Sequence, residues 1–255
     1  MDFNHVILTA PLFFLAALLF SSVGHGGASA YLAVMALLGV APESMRPAAL
    51  LLNVLVASIG VYKFHRAKAF SWQLFWPLAI MSVPMAFVGG LIQLSPQFYK
   101  PLVGAALLFA AIQIFRKTRK HALQSNIHEP SRPVLFGLGA GLGLLSGLTG
   151  IGGGIFLSPI LFLLNWAETK VISGVAAAFI LANSVSGLMG VLTKQLVLPA
   201  YLGYWVVAVL LGGLIGAEFG SKRLTNSSIR RLLALVLVFA GGKMLWEGLM
   251  LASAG

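Results

Sequence analysis

Two stretches decide the fold: SSVGHGGASAY at residues 21–31 and SGLTGIGGG at residues 146–154. Each interrupts an apolar run with glycine and small polar residues, and each is followed by a short apolar segment, Ala28–Leu38 and Ile155–Leu164. A full membrane crossing takes about 20 residues at ~1.5 Å each, so these segments reach roughly halfway. Glycine allows backbone turns and close approaches that other residues resist. Each stretch therefore reads as a helical hairpin turning inside the bilayer: a helix, a break and a half-helix. Non-helical backbone at that depth must be buried in protein or face a watery cavity.

Working outward, hydrophobic residues make up 59% of the 255 and charged residues 9%, with mean hydropathy +0.95. A soluble domain carries about 25% charged residues, so this composition describes an integral membrane protein. Long apolar runs favour helices over the short alternating strands of a barrel. The net charge of +11 sits in short loops, as the positive-inside rule expects, and does not point to nucleic acid. Cysteine is absent, which excludes disulfides, thiolate chemistry and Cys-based metal sites. The first residues lack a basic n-region and a clear cleavage site, so a retained segment is expected there.

Besides the two half-helices, apolar segments run at about Val6–Val23, Pro47–Tyr62, Trp72–Leu94, Phe98–Phe115, Val134–Thr149, Val171–Thr193, Pro199–Ala217 and Ile229–Leu251. The chain also repeats. Gly24-His25-Gly26-Gly27 answers to Gly150-Ile151-Gly152-Gly153, Asn53 to Asn183, Gly60-Val61 to Gly190-Val191, Gly90 to Gly220 and Phe109-Ala110 to Phe239-Ala240. The expected organisation is a first transmembrane repeat at 1–116, a basic cytoplasmic linker at 117–132 and a second repeat at 133–255.

Basic residues orient the chain. Lys63, Arg66 and Lys68 mark one cytoplasmic loop; Arg116, Lys117, Arg119, Lys120 and Arg132 mark a second; Lys222, Arg223, Arg230 and Arg231 mark a third. These agree only if each broken pair enters and leaves on the same side. The repeats are then inverted, and both termini are periplasmic. The expected fold is an all-α polytopic membrane protein of two inverted repeats, each a glycine-broken helical hairpin plus three transmembrane helices. Inverted repeats with glycine-interrupted segments in matching positions point to a secondary transporter with its site near the midplane.

Each half-helix begins at its break, so its free N–H groups and positive dipole end face the site. Two such ends suit an anion without requiring a fixed positive side chain. The six acids, Asp2, Glu43, Glu129, Glu168, Glu218 and Glu247, all fall at or near segment ends. A cation or proton pump usually shows an intramembrane acid, so the charge inventory also leans toward an anionic substrate.

GHGGAS near the start, GIGGGIFLSPIL in the second half and the paired Asn53 and Asn183 resemble the sulfite exporter TauE/SafE family of bacterial membrane transporters. The likeness covers nearly the whole chain. It implies an inner-membrane permease for a small sulfur-containing anion such as sulfite or an organosulfonate. The first motif departs from the second, with His25 where Ile151 stands and Ala28 where Gly154 stands.

The expected substrate-binding residues are His25, Gly26, Gly27, Asn53, Gly150, Gly152, Gly153, Gly154 and Asn183, with Ser22, Ser29 and Thr149 lining the same cavity. Each has a structural alternative. The glycines also serve close helix packing, and the asparagines interhelical bonding. The hydroxyls can bond back to their own helix. His25 either donates to the anion or carries a proton, or it bonds a backbone carbonyl at the turn. Glycines in 137–143, and Gly212, Gly216 and Gly220, read as packing. Lys243 either attracts the anion or pairs with Glu247 one turn on.

No metal cluster, cofactor motif, nucleophile elbow or Walker motif is present, so the chain is not expected to be an enzyme. The alternatives are a permease for another small anion, a carboxylate or other oxoanion, or a non-transporting membrane subunit. A homo-oligomer stays open, because small-residue faces pack equally well within one protomer or between two.

Overall fold

The computed structural model describes residues 3–117, 127, 130–194, 197–222 and 227–253. Most of the expected linker lies outside the described residues, including Arg119, Lys120, His121, His128 and Glu129, as do Asp2 and Arg223. Every regular element described is an α-helix: α1 Phe3–Ser21, α2 Ala28–Leu37, α3 Pro42–Arg66, α4 Trp72–Leu91, α5 Pro96–Lys117, α6 Arg132–Thr149, α7 Gly154–Leu163, α8 Thr169–Leu192, α9 Leu202–Lys222 and α10 Ser227–Ser253. Among the described residues, α3, α4, α6, α8 and Leu202–Gly220 of α9 are long and apolar enough to cross a membrane. Both expected half-helices are present, at ten residues each.

Several helix boundaries shift by a few residues from the sequence reading, and one shift matters for the site. The third helix was expected from Pro47 but begins at Pro42, whose missing N–H and fixed φ suit the first helical turn. That extension takes Arg46 into the helix. Serine caps α4, where Ser71 Oγ accepts from the Leu74 N–H at 3.4 Å.

Helices pack through glycine. Gly139, Gly143 and Gly147 of α6 lie in step against Leu78, Ser82 and Ala86 of α4, so the two helices run parallel. Gly212, Gly216 and Gly220 of α9 lie in step against Phe14, Leu18 and Ser22, so α9 and α1 also run parallel. At the centre α3 packs on α8, with Gly60 against Ala177, and α5 packs along α10. Ser186 of α8 donates to the Val83 carbonyl of α4.

Five of the charged side chains described in the helices form ion pairs. Lys63 bonds Glu218, and Glu247 accepts from Lys100 at 2.7 Å and lies 3.8 Å from Lys243. The expected Lys243–Glu247 pair is thus present. Lys243 also donates to the Ala36 and Leu37 carbonyls, closing the far end of α2. Large apolar side chains such as Trp76, Ile80, Met189 and Leu211 face outward, as a lipid-facing surface requires. Phe70, Trp72, Phe75 and Trp76 cluster beside Lys68 in the manner of an interfacial aromatic belt.

Candidate functional site

The site grows from one side chain. Asn53 sits midway along α3, fully buried. Its Oδ1 accepts the N–H of Ala28, the first residue of α2, at 3.1 Å. Its Nδ2 donates to the Ile151 carbonyl inside the second break at 3.1 Å, and reaches Ser184 Oγ of α8 at 3.4 Å. A backbone donor on one side and a backbone acceptor on the other fix which way the amide points. One asparagine therefore joins both glycine breaks at the middle of the molecule.

The glycines are required by this closeness. A Cβ on Gly26 would overlap Asn53 Oδ1, and one on Gly152 would lie 2.7 Å from Asn53 Nδ2 and 2.9 Å from Ile180 Cγ2. Gly152 also has φ +85, which side-chain-bearing residues rarely adopt. Gly154 meets the same Ile180 side chain. Thus Gly26, Gly152, Gly154, Asn53, Ile180 and Ser184 form one contact group, and Ile180 and Ser184 are the members that sequence reasoning missed. Ile180 lies in an ordinary apolar helix pattern with nothing to mark it, and Ser184 stands beside the more conspicuous Asn183.

The remaining expected residues sit around that group. Gly27 faces the Tyr31 ring, whose hydroxyl donates to the Gly26 carbonyl at 2.8 Å. Gly153 faces Phe179 and Ser146. Ser29 is buried at the start of α2. His25 is 9% exposed, with Nδ1 3.1 Å from the Val23 carbonyl, the backbone contact at the turn that was one of its three expected roles. Ser22 Oγ donates to the Leu19 carbonyl, and Thr149 Oγ1 donates to Leu145 and accepts from the Ile151 N–H. These hydroxyls secure the helix ends ahead of the breaks.

Asn183 differs from its sequence counterpart. It too is fully buried, yet neither its Oδ1 nor its Nδ2 has a hydrogen-bond partner. Ser82 Oγ and Ser146 Oγ are in the same condition. Asn183 lies one turn along α8 from Phe179 and Ile180, the two side chains packed on the second break.

Sequence reasoning also passed over Arg46. It is 6% exposed, and its backbone carbonyl and Cγ lie beside the position a Gly150 Cβ would take. The residue pressed against Gly24 in the first break is Ser173, so the arginine that borders the second break has no counterpart at the first.

No group of His, Cys, Asp and Glu among the described residues is placed to hold a metal ion. The sulfite exporter TauE/SafE family model matches residues 9–244. A probable membrane transporter protein, y4hK of Sinorhizobium fredii, is 39% identical over 241 residues, covering 93% of this chain and 97% of the relative. A second probable membrane transporter protein, YjnA of Bacillus subtilis, is 27% identical over 242 residues, covering 87% and 92%. No solved structure matches the chain.

Proposed function

The chain belongs to the sulfite exporter TauE/SafE family, and from that premise we propose that it is a secondary transporter moving a small sulfur-containing anion, such as sulfite or an organosulfonate, across the bacterial inner membrane. The observation that carries this reading is that Asn53 bonds both the start of the first half-helix and the break that opens the second. Two positive helix ends meeting inside a membrane favour negative charge there. The proposed binding residues are Gly26, Gly152 and Gly154 with the two asparagines, and Gly27, Gly150, Gly153, His25, Ser22, Ser29 and Thr149 around them.

The proposed architecture is two inverted repeats, 1–116 and 133–255, joined by the linker at 117–132, with both termini periplasmic. The parallel pairs α4–α6 and α1–α9 support it, since each is the other with the repeats exchanged. Alternating access follows from the unequal asparagines. In this conformation Asn53 holds the first half-helix and Asn183 holds nothing. In the opposite conformation Asn183 accepts from the Gly154 N–H and donates to the His25 carbonyl, the positions that match Ala28 and Ile151. Exchange between the two states moves access from one side to the other.

The test is counterflow in proteoliposomes with labelled sulfite and unlabelled sulfite, thiosulfate, organosulfonates, carboxylates or phosphate on the opposite side. Acceleration by sulfur anions supports the reading. Acceleration by carboxylates alone moves the protein to another substrate class, and none with any anion rejects anion transport.

A further inference from the structure

We infer that Arg46 is a ligand of the transported anion, supplying its fixed counter-charge on the α4 side of the second glycine break. This rests on the anion reading above. Arg46 as a residue is 6% exposed, and its Nε is buried. Its Nη1 and Nη2 donate to the Ile92 and Gly89 carbonyls at the end of α4, while Nε has no partner. The ion pairs among the described residues are Lys63–Glu218, Lys100–Glu247 and Lys243–Glu247, so no carboxylate neutralises Arg46. Glu43, one turn before it, is exposed.

A buried charge is costly unless it is paired. Two carbonyls at a helix C-terminus offset part of the cost and orient the fork. They leave the Nε–H and one hydrogen on each Nη for another acceptor. That edge of a guanidinium matches an oxoanion, which takes two parallel N–H bonds. Arg46 borders the site already described: Gly150 lies against its backbone carbonyl and Cγ, Gly89, whose carbonyl its Nη2 binds, packs on Gly147 and Leu148 just before the second break, and the Thr149 carbonyl accepts the Tyr99 hydroxyl at 3.2 Å. The first break carries Ser173 in the matching place, its hydroxyl bonded back to Thr169. The charge therefore acts at one break only, and a small oxoanion is held asymmetrically, nearer α4 and α6.

The experiment titrates sulfite onto detergent-purified wild type, Arg46→Gln and Arg46→Lys, with the melting temperature of each recorded without anion. Loss of a charge-assisted bond predicts a Kd increase on the order of 10- to 100-fold for Gln and a smaller one for Lys. A purely structural Arg46 lowers the melting temperature of the folded variants but leaves their sulfite Kd at the wild-type value, which overturns the inference. Should neither variant fold, 15N-arginine NMR of wild type decides it. A shift of a buried Nε–H resonance during sulfite titration supports the assignment, and no shift of any of them at saturation overturns it. If wild type itself binds no sulfite, thiosulfate or sulfonate, the anion reading fails rather than the assignment of Arg46.

Discussion

Asn53 and Asn183 occupy matching places and are both fully buried, yet they differ in energetic role. Removing one partner from a buried hydrogen bond costs about 1–3 kcal/mol. Asn53→Ala strands the Ala28 N–H and the Ile151 carbonyl, so thermal unfolding should show a loss on that order at least. Asn183→Ala removes a buried group that bonds nothing, and its melting temperature should be unchanged or higher. Its transport should fall all the same, because the opposite state needs that amide. Equal destabilisation by the two substitutions would sink the idea that they serve different conformations. At this scale the sequence made the pairing of Asn53 with Asn183 readable, together with both glycine clusters. It hid their unequal bonding, because that depends on which conformation the two halves hold. Arg46 was hidden for another reason: Pro47 looked like the helix start, which left the arginine in a loop.

Among the elements, α6 separates a packing face from a free one. Gly143 presses on the Ser82 backbone of α4, whereas Gly141 has nothing within 4 Å of where its Cβ would stand. Overpacking costs typically ~1–3 kcal/mol. Gly143→Val should therefore lower the melting temperature clearly, and Gly141→Val should not. Equal effects would mean that helix propensity, not contact with α4, governs these positions. The two half-helices were legible because a segment of ten apolar residues after a glycine cluster is too short to cross. Their surroundings were not. The first half-helix is buried on every side from Ala28 to Ala36, while α7 buries only one face. Neither segment's composition distinguishes them, since lipid and protein interior select the same side chains.

For the whole molecule, loop charge and the repeat predict sidedness. The chain has no cysteine, so single introduced thiols report it directly. Exposed Ala67→Cys, beside Lys68, should react with a membrane-impermeant maleimide only after cells are permeabilised, and Ala200→Cys should react from outside. Labelling of both from the same side would remove the inverted arrangement. The parallel pairing of α4 with α6 and α1 with α9 was not readable in advance. It rests on glycine ladders that meet the partner helix at backbone carbonyls, which no residue type marks.

The central claim is that the two breaks together hold a small sulfur anion, and anion-dependent thermal stability tests it most directly. A ligand that binds only the folded state stabilises it by about 2.7 kcal/mol at 100 times its Kd. Purified protein should melt at higher temperature with sulfite, thiosulfate or organosulfonates, and not with cations. Gly152→Val, which forces a side chain into Asn53 and Ile180, should abolish that shift. A shift with cations alone, or a sulfur-anion shift that survives Gly152→Val undiminished, would contradict the account.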